Sequence, residues 1–307
     1  MGDVGIYNAY MTLSGAYDAD VTRDERMARR TTCRIGGPAA LFCHAHSLQA
    51  LRKVLAVLAH EHVEWVILGK GSNILVSDGG YDGCVIELGR EFSRISFGDD
   101  GIVTVGAAVP LSRLVRETLS HELAGLEFCI GIPGTLGGAV SMNAGTRRDW
   151  ISRCIESVVT CDLHGMLHRL SADEVAWGYR TTSIDPASVI LEATLRLRGG
   201  TKRDISARMN ALIAHRQRTQ PVGRPSCGSV FRNPAEGSAA SLVEGCGLSG
   251  AREGAAQVSE RHANFIINTG GATADDVIRL MTRMHDAVMD TYGTDLTPEV
   301  KFLGFGA

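Results

Sequence analysis

Gly131-Ile132-Pro133-Gly134-Thr135-Leu136-Gly137-Gly138-Ala139-Val140-Ser141-Met142-Asn143-Ala144-Gly145 places four glycines within its first eight residues and continues in small residues to Gly145. With no side chain in the way, such a backbone can come close to a flat ring system or to phosphates. A tight bend packed against a helix is the competing reading. The spacing is not the dinucleotide fingerprint, in which three glycines open a helix inside a strand–helix–strand unit. Nor does Lys-Ser or Lys-Thr follow the last glycine, as a Walker-type phosphate loop requires.

Upstream, Gly69-Lys70-Gly71-Ser72-Asn73 joins the apolar runs Val66–Leu68 and Ile74–Val76. Glycines here allow positive φ and turn consecutive N–H groups toward an anion, with Ser72 and Asn73 adding short side-chain donors. A pyrophosphate suits that chemistry, although a plain turn between strands has the same look.

Around these loops the apolar pattern switches between the two periods. Ser47 precedes a helical stripe of Leu51, Val54, Leu55 and Leu58, and Pro110 opens a helix carrying Leu111, Leu114, Val115 and Leu119. Val63–Leu68, Cys84–Leu88, Ile102–Val109 and Val189–Leu197 read as strands, and Asp162-Leu163-His164-Gly165 as the turn between Val158–Cys161 and Met166–Leu170. Gly199-Gly200 marks a boundary before a helix over Asp204–Arg218 with Ile205, Met209, Leu212 and Ile213 inward. A last helix is capped by Thr273, carries Val277, Leu280, Met281, Met284 and Val288, and stops at Gly293. The charge run Arg23–Arg30 reads as a solvated helix face. The divisions expected are an N-terminal extension over 1–30, a domain over 31–198 and a second over 199–307.

The 307 residues, 44% hydrophobic and 21% charged, suffice for two packed domains. A net charge of -3 supplies no positive field for a phosphate backbone, so no nucleic-acid partner is expected. The first residues lack a basic start and apolar run, and no stretch approaches the roughly 20 apolar residues of a membrane span, so a cytoplasmic protein without a membrane partner is expected. The eight scattered cysteines show neither zinc-knuckle nor redox-pair spacing; buried free thiols are expected, and no metal ligand set.

Further segments complete a series: Thr32-Cys33-Arg34-Ile35-Gly36-Gly37-Pro38-Ala39, Leu68–Val76, Gly125-Leu126-Glu127-Phe128 with Gly131–Gly145, Gly178-Tyr179-Arg180, Ser226-Cys227-Gly228-Ser229-Val230-Phe231-Arg232-Asn233-Pro234, and Gln257–Asn268. In this order, from about Thr31 to Gly304, the chain resembles the UDP-N-acetylenolpyruvoylglucosamine reductase (MurB) flavoproteins. The resemblance implies an α+β fold, with a two-lobed FAD-binding domain of the vanillyl-alcohol-oxidase type followed by a smaller α+β substrate-binding domain. It implies FAD as cofactor and NADPH as hydride donor. It implies UDP-N-acetylglucosamine enolpyruvate as substrate, and no obligate protein partner. Family members commonly carry Phe where Cys33 stands and Gly, Asn or Arg where Lys70 stands. The short stretch between Arg180 and Val189 resembles the family version without an extra tyrosine-bearing loop over the substrate.

By the same likeness, Arg34, Gly69, Lys70, Gly71, Ser72, Asn73, Gly131, Ile132, Pro133, Gly134, Thr135, Gly137, Gly138, Ala139, Asn143 and Gly145 bind the cofactor. Tyr179, Arg218, Gln220, Asn233 and Gln257 bind substrate, and Arg180, Ser229 and Glu299 are catalytic. The residue types suit hydride and proton addition across an enol ether conjugated to a carboxylate. Arg180 offers a planar permanent charge to a carboxylate gaining negative charge, and Ser229 offers a proton with help from its neighbours. A Glu299 facing that carboxylate is better protonated, because two close carboxylates do not both ionise cheaply. His262 and Asn264 fall in the Gln257–Asn268 motif, where a structural role competes with a ligand-binding one. Two other readings keep part of this picture: a flavin-dependent sugar or alcohol oxidase of the same fold, and a non-catalytic flavin-binding module.

Overall fold

The computed structural model describes residues 2–15, 18–146 and 148–306, without the side chain of Asp3. Contacts divide the chain into two units of discontinuous sequence. The first comprises Met1–Arg23, Leu41–Lys70 and Gly83–Ala214; the second comprises Asp24–Ala40, Gly71–Asp82 and His215–Ala307. The fold is α+β, as expected.

The first unit is built on a five-stranded antiparallel sheet in the order Leu167–Ser171, Ile155–Cys161, Val189–Arg196, Ile102–Gly106, Ile95–Phe97. Val103, Val105, Ala193 and Leu195 alternate toward one face and form a core with Leu111, Leu114 and Val115 of the helix Leu111–Ser120. The strand expected over Ile102–Val109 ends at Gly106, which permits the next residues to turn toward the Gly131–Gly145 segment. Asp162 closes the expected turn, its Oδ1 accepting from the N–H groups of His164 and Met166 at 2.9 Å each. The helix Leu48–His60 starts where Ser47 predicts, with Ser47 Oγ accepting from Ala50 N at 3.2 Å and Leu51, Val54, Leu55 and Leu58 buried.

A four-stranded sheet runs in the order Ala19–Arg26, Pro38–Ala45, Tyr81–Leu88, Trp65–Ile67. It corrects the reading of the Arg23–Arg30 charge run as a helix face. Ala19–Arg26 is a strand, and Met27–Arg29 forms a single 3₁₀ turn. The strand lies at the sheet edge, where charged side chains are at home and pairing with a neighbour outweighs local propensity. The helix Gly2–Leu13 ahead of it lies in the stretch expected as an N-terminal extension. In the helix Lys202–Thr219, Ile205 and Met209 are buried, but Leu212 and Ile213 are only half-buried, because the apolar stripe covers two turns of a mostly charged helix.

The second unit carries a four-stranded antiparallel sheet in the order Ser226–Ser229, Phe265–Asn268, Ala256–Val258, Arg252–Glu253. The helix Ala274–Tyr292 buries Val277, Leu280, Met281, Met284 and Val288 in the core of this unit. It begins with a full capping box between Thr273 and Asp276 and ends at Gly293, whose φ of 63° is the left-handed cap expected there. Lys301–Leu303 pairs in parallel with Ile74–Val76. The cysteines are free, and all are buried except the half-exposed Cys246.

Candidate active site

The cofactor candidates of the first unit are organised by Thr135. A Cβ on Gly69 would stand 2.7 Å from Thr135 Oγ1, so the start of one glycine loop touches the other and a larger residue there would displace the threonine. Thr135 caps the short helix Leu136–Ser141, and Leu136 N and Gly137 N donate to Val109 O and Ala107 O at 2.9 and 2.8 Å. A Cβ on Gly137 would meet Ala107 Cβ at 3.0 Å, so this glycine serves close packing. Gly138 is different: it is exposed, and nothing stands closer than 3.8 Å to where its Cβ would be. Gly131, at φ 75°, and Pro133 are also exposed, Ile132 is half-buried against the core, and Ala139 is buried. Bare main chain at Gly131 and Gly138 fits a flat, phosphate-bearing cofactor such as FAD; a loop serving only as a packed bend would have its glycines filled like Gly137.

Asn143 is buried at φ 39°, with Oδ1 accepting from Ser152 N at 3.2 Å and Nδ2 donating to Gly178 O at 3.0 Å. Its amide thereby ties the glycine segment to a small hairpin, Trp177–Gly178 paired with Thr181–Thr182, whose two-residue tip is Tyr179-Arg180. Arg180 adopts φ 58°, unusual for a non-glycine residue. Its Nη2 donates to Gly145 O at 3.4 Å, and its guanidinium lies 5.2 Å from the centre of the Tyr179 ring. Sequence reading therefore picked residues that the first unit does bring together: Gly69 with Thr135, and Asn143 and Gly145 with Tyr179 and Arg180. Lys70 is exposed at the end of this unit's second segment.

In the second unit, Gly71 has φ 58°, and a Cβ there would be 2.2 Å from Arg30 O. Thr32 holds this corner: its N–H donates to Gly71 O at 3.0 Å and its hydroxyl to Ser226 O at 2.7 Å. The sequence gives Thr32 no signal, since one hydroxyl among many has none before its partners are known. Arg34 is exposed at φ 58° on the same turn. Ser72 and Asn73 lie against the catalytic candidates. Ser72 O is 3.7 Å from the Cβ position of Gly228, and Asn73 Nδ2 donates to Glu299 O at 3.1 Å. Glu299 N donates to Val230 O at 2.8 Å, and Arg232 N to Thr297 O at 2.9 Å, so the Glu299 segment runs beside the turn that follows Ser229. Ser229 and Glu299, seventy residues apart in sequence, are thus neighbours.

Asn264 fixes that turn. It is 2% exposed; its Oδ1 accepts from Phe231 N at 3.0 Å, its Nδ2 donates to Phe231 O at 2.8 Å, and its own carbonyl accepts from Val230 N at 2.9 Å. The structure gives it the structural of its two possible roles. His262 packs edge-on to Phe265 with ring centres 4.8 Å apart, and burial pulls its imidazole below the usual pKa. The substrate candidates are more dispersed. Arg218 lines an open cleft of about 270 Å³ with Glu244, Glu260, Arg261 and His262. Gln220 Oε1 accepts from Arg216 at 3.4 Å, Asn233 Oδ1 from Ala239 N at 3.1 Å, and Gln257 Oε1 from Arg252 at 3.3 Å.

Two family models match the chain: an FAD binding domain over residues 39–171, and the UDP-N-acetylenolpyruvoylglucosamine reductase C-terminal domain over 220–303. A UDP-N-acetylenolpyruvoylglucosamine reductase of Alkalilimnicola ehrlichii is 45% identical over 283 residues, covering 91% of this chain and 93% of the relative. One from Anoxybacillus flavithermus is 40% identical over 286 residues, covering 92% and 94%. The crystal structure of the reductase from Thermus caldophilus superposes with a TM-score of 0.82 at 34% identity, covering 93% of this chain and 99% of that one. Likeness of this extent in sequence and in fold, running through both matched domains, makes the chain a member of the UDP-N-acetylenolpyruvoylglucosamine reductase family.

Proposed function

We propose that this protein is an FAD-dependent oxidoreductase that uses NADPH to reduce UDP-N-acetylglucosamine enolpyruvate to UDP-N-acetylmuramate, a step in making peptidoglycan precursors, and that it works in the cytoplasm. The family membership supports the reaction. No helix among the described residues is long and apolar enough to cross a membrane. FAD, when bound, supplies the two-electron chemistry that carries hydride from NADPH to the enolpyruvyl double bond.

The polypeptide does the rest. The open backbone at Gly131 and Gly138, together with Gly69, Lys70, Gly71, Ser72 and Asn73, holds the cofactor. Arg180 pairs with the substrate carboxylate as negative charge builds on it, a transition-state interaction of the kind worth about 10²–10³ in rate. The Gly145 carbonyl and the Tyr179 ring give its guanidinium a direction. Ser229 delivers the proton to the carbon next to the carboxylate, and the Glu299 carboxyl assists. The observation that supports this reading is the pairing of the Ser229 turn with the Glu299 segment through Glu299 N and Val230 O, because it makes the two candidates neighbours along the backbone. Tyr179, Arg218, Gln220, Asn233 and Gln257 are proposed to hold the substrate.

An anaerobic titration of the yellow protein tests the proposal. The flavin band bleaches with NADPH and returns with UDP-N-acetylglucosamine enolpyruvate. A band that NADPH leaves unchanged, or that returns with oxygen but not with this substrate, refutes it. Ser229→Ala bleaches normally and recovers slower by about 10²–10⁴.

A further inference from the structure

The first unit holds a second group of chemically capable side chains, which takes no part in the reaction above. His44 lies in the strand Pro38–Ala45, and His46 follows that strand immediately. As alternate residues they leave the same face, with ring centres 4.3 Å apart and planes at 48°. The adjoining edge strand, Ala19–Arg26, sets Asp20 Oδ2 2.9 Å from His46 Nε2. One ligand-capable atom from each of the three residues lies within 4.8 Å of the other two.

The surroundings favour a ligand over a simple ion pair. The His46 side chain is 12% exposed and Asp20 77%, so the group has a protein-backed floor and an open rim. The His46 ring rests on Gly89, where a Cβ would stand 2.2 Å from Nδ1, and that nitrogen is buried without a hydrogen-bond partner in the structure. Packing therefore holds the ring, and no second polar partner competes for it. Arg90, the nearby cation, is engaged with Asp18 at 2.5 Å. Two imidazoles and one carboxylate are a donor set for zinc and its neighbours among the divalent transition metals, with a fourth position left for water.

We propose that Asp20, His44 and His46 bind one divalent transition-metal ion of the zinc class and that the ion clamps the edge strand Ala19–Arg26 to the strand beside it. The ion takes the place of the hydrogen between His46 Nε2 and Asp20 Oδ2, and the imidazole that ligates it is neutral and carries its one N–H on Nδ1. Asp20 is the exposed, adjustable member and swings inward to complete bonds of about 2.0–2.2 Å. His44-x-His46 is too short a pattern to stand out in the sequence, and its third member lies across a strand pairing.

The test is equilibrium dialysis of the untagged, flavin-loaded full chain against Zn²⁺ at submillimolar concentrations, with metal measured by elemental analysis and thermal melting followed in parallel. Wild type retains one more Zn²⁺ per chain than the double variant His44→Gln/His46→Gln, and Zn²⁺ raises the melting midpoint of wild type only. Each single variant, and Asp20→Asn, lowers affinity on the order of 10–100-fold. The buried cysteines are common to every protein compared, so metal taken up by thiols cancels. Equal zinc retention by wild type and double variant overturns the proposal, as does a melting shift that survives the substitutions. Should the double variant lose its flavin or its metal-free melting transition, His44→Gln alone decides by the same two readouts.

Discussion

Replacing Asn264 by alanine isolates the device that holds the proposed proton donor. The side chain satisfies both the N–H and the carbonyl of Phe231, at 3.0 and 2.8 Å, and both partners are buried. Each buried group stranded without a partner costs about 1–3 kcal/mol, so the substitution destabilises the protein by about 2–6 kcal/mol, less whatever entering water recovers. The lost support sits two residues from Ser229, on the turn whose Val230 carbonyl also binds Glu299. A shift of about 1 Å in a reacting group costs about 10²-fold in rate, so the substrate half-reaction slows by about that factor. The NADPH half-reaction takes no proton from Ser229 and is expected to slow far less. Denaturant midpoints give the first quantity, and stopped-flow measurement of each half-reaction gives the other two. A variant within about 0.5 kcal/mol of wild type, with an unchanged substrate half-reaction, would show that the amide carries no load.

Three other substitutions separate folding from function. Gly138→Ala adds a methyl in a helix at ordinary contact distance, 3.8 Å from Thr135 Oγ1, so the apoprotein should be as stable as wild type or up to about 1 kcal/mol more so, while FAD affinity falls. Unchanged affinity in a flavin-binding titration would remove Gly138 from the cofactor surface. Arg180→Gly relieves a left-handed residue, raising stability by about 1 kcal/mol while turnover drops about 10²-fold or more; melting curves and steady-state kinetics report the two effects, and retained turnover defeats the assignment. Asp276 is held below its ordinary value of 3.8, chiefly by hydrogen bonding from Thr273 N, with further help from Ala255 N and Arg279. Because the folded form is the stronger acid, its contribution is complete above the unfolded value and disappears as pH falls through the folded one. Denaturant midpoints between about pH 5 and pH 2 should therefore fall less steeply for Asp276→Asn than for wild type.

Much of this molecule could be read from local chemistry. Ser47, Thr273 and Gly293 each act at the helix end they mark, because a cap needs only its own neighbours. The apolar stripe from Val277 to Val288 and the alternation in Val189–Arg196 survive for the same reason. Arg23–Arg30 misled because its strand exists only through a partner supplied by Pro38–Ala45. The site divides in the same way. Glycine loops advertise themselves, but the tasks of Thr32, Asn143 and Asn264 depend on partners as distant as Ser226, Gly178 and Phe231. Nor does a pattern as common as Gly-Tyr-Arg announce a hairpin tip with a strained arginine.

The parallel pairing of Lys301–Leu303 with Ile74–Val76, joined by Asn73 and Glu299, has a consequence for biogenesis. Those early residues wait for neighbours that are synthesised more than two hundred positions later. During translation the emerging polypeptide can assemble its first sheet, but the Ser72-Asn73 corner stays unfinished until synthesis reaches the final strand. If the Ser72-Asn73 corner holds the dinucleotide as proposed, its stable capture is expected only after Lys301–Leu303 has been made, and a stop codon at position 297 should yield a protein without its colour.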